Sequence, residues 1–506
     1  MSVAENTDSI SRHRLSAPPG AVYTRTVLEP SFRFMLGNYF EALLETNRAW
    51  ALMLADTGIV RGEHVSGLLG ALDTMAAEGA AVLDEFNPAH EYFYSHVENR
   101  LSQLAGPDAA GQINLARTRP EPLTRMALRT RILTVSERLG RLADCLLDMA
   151  EAESDTVMPQ WTHMQPAQPS TLGHYLLGVV DALDRDAGRI ESAYRTTNAC
   201  TLGCGALAGT SYPIDRQLVA DLLGFDEVRV NTIDCVASGD YALETTAALA
   251  NLATTLSRLC EDMYLWHTDE FGFVEIGDAF AGSSSMMPQK KNAYPFEYVR
   301  ARAAHAVGEM VAAYGALHNT NFGDIKDVEE EMVPPTLRSC AEVTNSLELL
   351  TGTLGSLTID RERMADRAGA GFSTATELAA VLHRETDLDF RTAHRIVGRL
   401  VGLAVQRGVR PQEVRVDLLD EASGEVLGRK AGLSDDQVRR ALDPHGFVAA
   451  HTVLGGPAPE PVRDALAEAR TRAGRRRDWH VEATSKLTAA SEELRRRADE
   501  HLARSS

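Results

Sequence analysis

Leu128-Arg-Thr-Arg-Ile132-Leu-Thr-Val135-Ser-Glu-Arg-Leu139-Gly-Arg-Leu142-Ala-Asp-Cys-Leu146-Leu-Asp-Met149 is the stretch that decides the fold. Its apolar residues recur three and four apart without a break, the pattern of a helix that buries one stripe. Leu249, Leu252, Leu256, Leu259 and Met263 repeat it, as do Phe296, Val299, Ala303, Ala306, Met310, Ala313 and Leu317. Such seams pack against neighbouring helices at small crossing angles. No strand-period alternation, and no alternation of strand with helix, competes with them. The chain therefore reads as all-α. A central bundle of long helices spans 115–365, with an N-terminal helical region at 1–114, a C-terminal helical domain at 366–465 and a polar helical tail at 466–506. Residues 242–259 are rich in Ala, Leu and Thr all round. A helix apolar on several sides has several sides to bury, which points to oligomerisation.

Length agrees with several domains, because 506 residues exceed the ~250–300 at which single cores stop growing. Composition, with 44% hydrophobic and 24% charged residues, is that of a soluble globular chain. No apolar run reaches the ~20 residues of a membrane span, and no basic-then-apolar segment opens the sequence. Six cysteines at 145, 200, 204, 235, 260 and 340 show neither disulfide-framework nor metal-ligand spacing, so a reducing, cytoplasmic setting is expected. A formal net charge of -20 argues against nucleic acid as a partner. Residues 1–25, with Pro18-Pro19-Gly20, read as a terminal arm. Arg475-Arg476-Arg477 and Arg495-Arg496-Arg497 read as solvated helix faces.

Gly282-Ser283-Ser284-Ser285-Met286-Met287-Pro288-Gln289-Lys290-Lys291-Asn292-Ala293-Tyr294-Pro295-Phe296-Glu297 carries the chemistry. Small residues let backbone N–H groups close on an anion. Lys290 and Asn292 supply a charge and an amide to hold carboxylate oxygens. A hydroxyl among such donors can have its alkoxide stabilised and act as a general base. A flexible polar loop is the ordinary identity of a Ser/Gly-rich run, but these neighbours are too particular for it.

The stretch resembles the swinging loop of the fumarase/aspartase superfamily, Gly-Ser-Ser-x-Met-Pro-x-Lys-x-Asn. Aligned on Met287, Pro288, Lys290 and Asn292, the two family serines fall on Ser284 and Ser285, and Ser283 replaces the family glycine. Thr162-His163-Met164-Gln165-Pro166-Ala167-Gln168-Pro169, followed by Thr171-Leu172-Gly173-His174, is similar to the argininosuccinate lyase version of the superfamily's Thr-His motif. Leu202-Gly203-Cys204-Gly205-Ala206-Leu207-Ala208-Gly209-Thr210 and Asp389-Phe390-Arg391-Thr392-Ala393-His394 extend the similarity, which covers about 30–465.

The resemblance implies a carbon–nitrogen lyase that needs no metal or organic cofactor. It implies a small dicarboxylate substrate and a homotetramer whose active sites draw on three subunits. Ser284 takes the place of the base that removes a proton beside a carboxylate. Lys290, Asn292 and Ser285 match the substrate-binding positions of the loop. His163 protonates the leaving group or orients substrate, Glu297 holds its imidazole, and Thr162 and Gln165 lie beside it as donors.

Two segments depart from the family. Its Gly-Arg-Ser-Arg-Asn-Asp-Gln is Ala116-Arg117-Thr118-Arg119-Pro120-Glu121-Pro122 here. Thr118 keeps a hydroxyl and Arg119 the bidentate fork, while Pro120 removes an amide side chain and a backbone donor. Its Tyr-Asn-Lys-Asp-Leu-Gln-Glu-Asp-Lys, which grips the amino-acid half of argininosuccinate, is Asn321-Phe322-Gly323-Asp324-Ile325-Lys326-Asp327-Val328-Glu329. Lys326 stands for the Gln as a substrate-binding candidate and Glu329 for the second Lys, a reversal of charge. Bond-breaking residues are kept and recognition residues are changed. The expected reaction is elimination of an amine from a succinyl-substituted amino compound, with release of fumarate. A genuine argininosuccinate lyase, forming arginine and fumarate, and a non-catalytic oligomer on the same scaffold are the alternatives.

Overall fold

The 128–149 seam lies where three neighbouring helices converge. In the computed structural model, which describes residues 17–83, 85–118 and 122–505, it belongs to the helix Leu123–Ala152. Leu128, Ile132, Val135, Leu139, Leu142 and Leu146 are buried. They face Leu172–Thr197, Val333–Leu354 and Pro459–Ser505. Asp240–His267 and Tyr294–Leu317 complete the bundle.

The same helix carries two buried cations that periodicity does not reveal. Arg125 donates to the Thr196 carbonyl at 2.8 Å and to Ser238 Oγ at 2.9 Å, and lies 4.1 Å over the Tyr241 ring. Arg129 donates to Asn198 Oδ1 at 2.9 Å and the Leu223 carbonyl at 2.6 Å, and lies 4.4 Å over Phe225. Burial lowers the pKa of both guanidiniums. Carbonyls and aromatic faces, rather than carboxylates, replace their water.

Asp240–His267 corrects one inference. Its all-round apolar surface packs on Leu172–Thr197, Tyr294–Leu317 and Val333–Leu354, so most of it is buried inside one chain. Its composition reflects a central position and does not of itself require a second copy. Uncovered apolar surface lies instead on Tyr294–Leu317, where Val307, Val311 and Tyr314 are exposed, Val311 by 62%.

Strands also exist where none was expected: four two-stranded pairs among the described residues. The longest pairs Val157–Thr162 antiparallel with Gln165–Thr171. Three prolines interrupt it, which hides any alternation and fits an edge rather than a sheet interior.

One continuous core joins residues from Phe32 to Met364 with Val462, Ala469, Ala483, Leu494 and Ala498. The N-terminal region and the tail therefore share the core of the bundle. A separate cluster, including Leu378, Ile396, Leu400, Leu419 and Val438, forms the centre of the C-terminal segment. The expected arm at 1–25 is helical from Ala21 onward, and its residues 1–16 lie outside the described part. The tail helix begins at Pro459, within the segment assigned to the C-terminal domain. Its basic run is not simply solvated. Arg476 pairs with Asp184 at 3.2 Å and Glu191 at 2.6 Å, and Arg477 with Asp144 at 2.5 Å. Acidic residues on the two bundle helices beneath explain the difference. Among the described residues no helix is long and apolar enough to cross a membrane.

Candidate active site

The serine-rich stretch folds as a small hairpin. Gly282–Ser283 pairs antiparallel with Lys291–Asn292, leaving 284–290 as its loop. A side chain at Gly282 would force the Tyr294 ring to move, since a Cβ there would lie 2.1 Å from it. Asn292 Nδ2 donates to the Gly282 carbonyl at 3.2 Å and to Tyr294 Oη at 3.3 Å, closing the base. Lys291 fixes the outer strand. Its Nζ meets Glu275 at 2.7 Å and Asp278 at 2.8 Å, and its carbonyl accepts from His267 Nε2 at 3.2 Å. The two adjacent lysines thus separate by role. Lys291 is an anchor, whereas Lys290 is exposed and forms no ion pair among the described residues.

Ser284 is turned into this loop and Ser285 out of it. Ser284 Oγ accepts the backbone N–H of Met286 at 3.3 Å and of Met287 at 3.0 Å. Two N–H groups on one hydroxyl oxygen favour negative charge there, since hydrogen bonds to the charged form stabilise it.

Glu297 occupies the first turn of Tyr294–Leu317, where the helix dipole favours a carboxylate. Its neighbour in the chain is Tyr264. The Glu297 charge, more than burial, pushes the Tyr264 phenol above its ordinary range. Glu261 pairs with Arg300 at 2.9 Å on the same face, and Arg300 lies 5.6 Å from the Tyr264 ring centre. Tyr264 was not singled out from sequence, because next to the seam residue Met263 it carries no motif.

His163 stands at the tip of the other hairpin. Thr162 pairs with Gln165, so His163 and Met164 form a two-residue turn, with φ of 53° and 60°. Positive φ at both positions is the mirror-image type that Asn-Gly ordinarily fills. Outside glycine such backbone is strained, and strain of this kind gathers at functional sites. Trp161 braces the turn from below, its ring 6.1 Å from those of Trp266 and Phe273. Thr162, His163 and Gln165 are all exposed. Within one chain the expected contact between Glu297 and His163 is absent among the described interactions; Glu297 is turned to Tyr264 instead. His174 has both ring nitrogens occupied, by Ser170 Oγ at 2.7 Å and the Gly455 carbonyl at 2.9 Å.

Thr118 is half-buried, and Arg119 lies outside the described residues. Lys326 is held by its own chain, 2.7 Å from both Glu329 and Glu330 and 5.5 Å over the Tyr92 ring. Burial opposes its charge, but the two carboxylates outweigh burial and hold its pKa well above the ordinary lysine value. Burial pushes Glu329 up, against the pull of Lys326. The charge reversal read from sequence is therefore compensated internally. A cleft of about 1070 Å³ opens between the Thr162 hairpin, the helices Leu172–Thr197 and Asp240–His267, and the C-terminal segment. Of the candidate residues only Thr162 lines it.

Two family profiles match the chain: one described as Lyase over residues 16–308 and one described as Argininosuccinate lyase C-terminal over 372–449. The argininosuccinate lyase of Methanothermobacter thermautotrophicus is 40% identical over 432 residues, spanning 85% of this chain and 92% of the relative. Argininosuccinate lyase 1 of Shouchella clausii is 34% identical over 452 residues, 89% of this chain and 91% of its own. Among solved structures, an EDDS lyase in complex with formate superposes with a TM-score of 0.84 at 30% identity, covering 96% of this chain and 97% of that one. A class II fumarase from Schistosoma mansoni, at 17% identity and TM-score 0.65 over 82% and 94% of the two chains, shares the fold.

Proposed function

Because the chain belongs to the argininosuccinate lyase family and is a carbon–nitrogen lyase, we propose that it eliminates an amine from a succinyl-substituted amino compound and releases fumarate. The pair of N–H groups on Ser284 Oγ carries this reading. Ser284 removes the proton next to a carboxylate, and the resulting aci-carboxylate is the species to be stabilised. Lys290, which is exposed and has no partner ion among the described residues, supplies the charge in this reading, with Asn292 and Ser285 beside it in the loop. Thr118 and Arg119 hold the second carboxylate so that the breaking bonds lie anti. His163, with Thr162 and Gln165, serves the leaving-amine side.

The site is completed between copies in a homotetramer. His163 projects from a strained turn without a hydrogen-bond partner among the described residues, and Glu297 is exposed. The apolar stripe of Val307, Val311 and Tyr314 gives a second copy something to cover. Six free cysteines fit a reducing, cytoplasmic setting.

Recognition of the amine differs from that of argininosuccinate, because Lys326 is neutralised by Glu329 and Glu330 and offers no spare charge to an amino-acid carboxylate. The likeness to an EDDS lyase agrees with a changed amine. The second reading, formation of arginine and fumarate, rests on the 40% identity to an argininosuccinate lyase. Fumarate absorbance separates them. Purified protein is given argininosuccinate, and separately fumarate with a panel of amines, with Ser284→Ala as control. Consumption of fumarate with amines other than arginine, lost in the variant, supports the proposal. Rapid release from argininosuccinate establishes the second reading, and activity retained by Ser284→Ala removes Ser284 from the chemistry.

A further inference from the structure

Two cysteines that the proposed elimination does not use meet in the fold. Cys204 lies in the loop 202–210, and Cys235 in the short helix Thr232–Ala237. The two side chains share a hydrogen bond. Arg216 ties their surroundings together: its guanidinium donates to the carbonyls of Leu202 at 3.0 Å, Arg229 at 2.8 Å and Val230 at 3.4 Å. The same Nη2 reaches Cys235 Sγ at 3.2 Å, and Cys235 Sγ is 3.2 Å from the Arg229 carbonyl. Arg125 adds positive charge from the bundle, and the nearby carboxylate of Asp234 is drawn to Arg229 at 3.6 Å.

The ordinary role of a buried cysteine is that of a small apolar filler. Cys340 fits it, since burial pushes its thiol up to about 12. Cys235 departs in the opposite direction. The Cys204 hydrogen bond and then the Arg216 guanidinium hold it well below the usual thiol range, against burial. The loop that presents Cys204 has positive φ at Gly203, Gly205 and Gly209, which glycine adopts freely, and at Leu207, where it is strained. Thr232 Oγ1 braces it on the helix of Cys235 through the Leu207 carbonyl at 2.8 Å.

We propose that Cys204 and Cys235 form a peroxide-sensitive modification site that closes reversibly to a disulfide. The Cys235 thiolate attacks one oxygen of a hydroperoxide. The O–O bond breaks, the other oxygen leaves as hydroxide or alkoxide, and Cys235 becomes a sulfenic acid. The Cys204 thiol then attacks that sulfur, its proton leaves with the hydroxyl as water, and the S–S bond forms. The two sulfurs together give up two electrons and the peroxide accepts them. Sulfurs already in hydrogen-bond contact have only to close to about 2.05 Å. Cys235 is 7% exposed and Cys204 is fully buried, so the step calls for an oxidant as small as hydrogen peroxide that reaches Cys235 first. The bond fastens the 202–210 loop to Thr232–Ala237, immediately before the central helix Asp240–His267.

The test is peptide mapping of the intact wild-type protein after brief exposure to hydrogen peroxide, with alkylation of remaining thiols in denaturant. A cross-linked peptide joining Cys204 to Cys235, two hydrogens lighter and reversed by dithiothreitol, is expected, with Cys145, Cys200, Cys260 and Cys340 alkylated. In Cys204→Ser the link is absent and Cys235 is trapped by dimedone as a sulfenic acid. Both cysteines alkylated in peroxide-treated wild type, Cys235 found only as sulfinic acid, or Cys204 linked to a different cysteine would each overturn the proposal.

Discussion

The backbone N–H of Met287 donates to Ser284 Oγ across 3.0 Å, so the hydroxyl is an acceptor inside a loop built from its own next residues. That arrangement separates the chemical role of Ser284 from any structural one. Ser284→Ala is expected to lower kcat by about 10³-fold. Its two donors lie on exposed residues that water can serve, so stability should change by no more than ~0.5 kcal/mol. Steady-state fumarate kinetics beside thermal unfolding check both halves.

Lys290 and Lys291 are adjacent and predicted to behave differently. Lys290→Gln removes the charge proposed to face the developing aci-carboxylate, and should reduce kcat/KM by ~10²–10³-fold with the hairpin intact. Lys291→Gln frees Glu275 and Asp278 and loosens the strand. It should chiefly increase protease cleavage within 284–290, with the smaller kinetic effect. Equal kinetic losses in the two variants would contradict the division.

The His163–Met164 turn predicts a conflict between stability and activity. Replacing both residues by Asn-Gly supplies what positive φ favours, and should stabilise the protein by about 1–2 kcal/mol. Activity should fall by at least ~10²-fold, because the imidazole is removed. Denaturant unfolding and turnover, measured on one preparation, decide it.

Cys235 gives a pH dependence of defined sign. Its folded pKa lies below the unfolded thiol value, ~8.5. Its contribution to stability is therefore fully present above that unfolded value and is lost as pH falls through the folded one. Loss of the Cys235 thiol on exposure of the native protein to hydrogen peroxide should stay fast at pH 7, and Cys204→Ala should move the rate profile to higher pH. A wild-type profile centred on the ordinary thiol value would show that no thiolate is favoured.

The bundle was legible because Leu128, Ile132, Val135, Leu139, Leu142 and Leu146 repeat with helical spacing and are all buried. Arg125 and Arg129 interrupt the same helix as charges, yet are buried against carbonyls and rings contributed by residues some 70 to 115 positions away. Spacing within one helix holds no record of such partners. Thr162, His163, Ser284 and Lys290 were legible as motifs. Their hairpins were not, because the ladder is two residues long in one case and broken by proline in the other. The self-neutralisation of Lys326 by Glu329 and Glu330 follows from helical spacing of three and four, although sequence alone suggested only a reversal of charge.

The helix Pro459–Ser505 has a consequence for the order in which the molecule can be made. It places Leu494 and Ala498 in the core shared with Leu68 and Leu128, and Arg497 reaches back to Asp56 at 3.5 Å. Everything this helix closes upon lies earlier in the chain. During synthesis the bundle must wait, with that flank of its core uncovered, until the ribosome has delivered the segment that seals it.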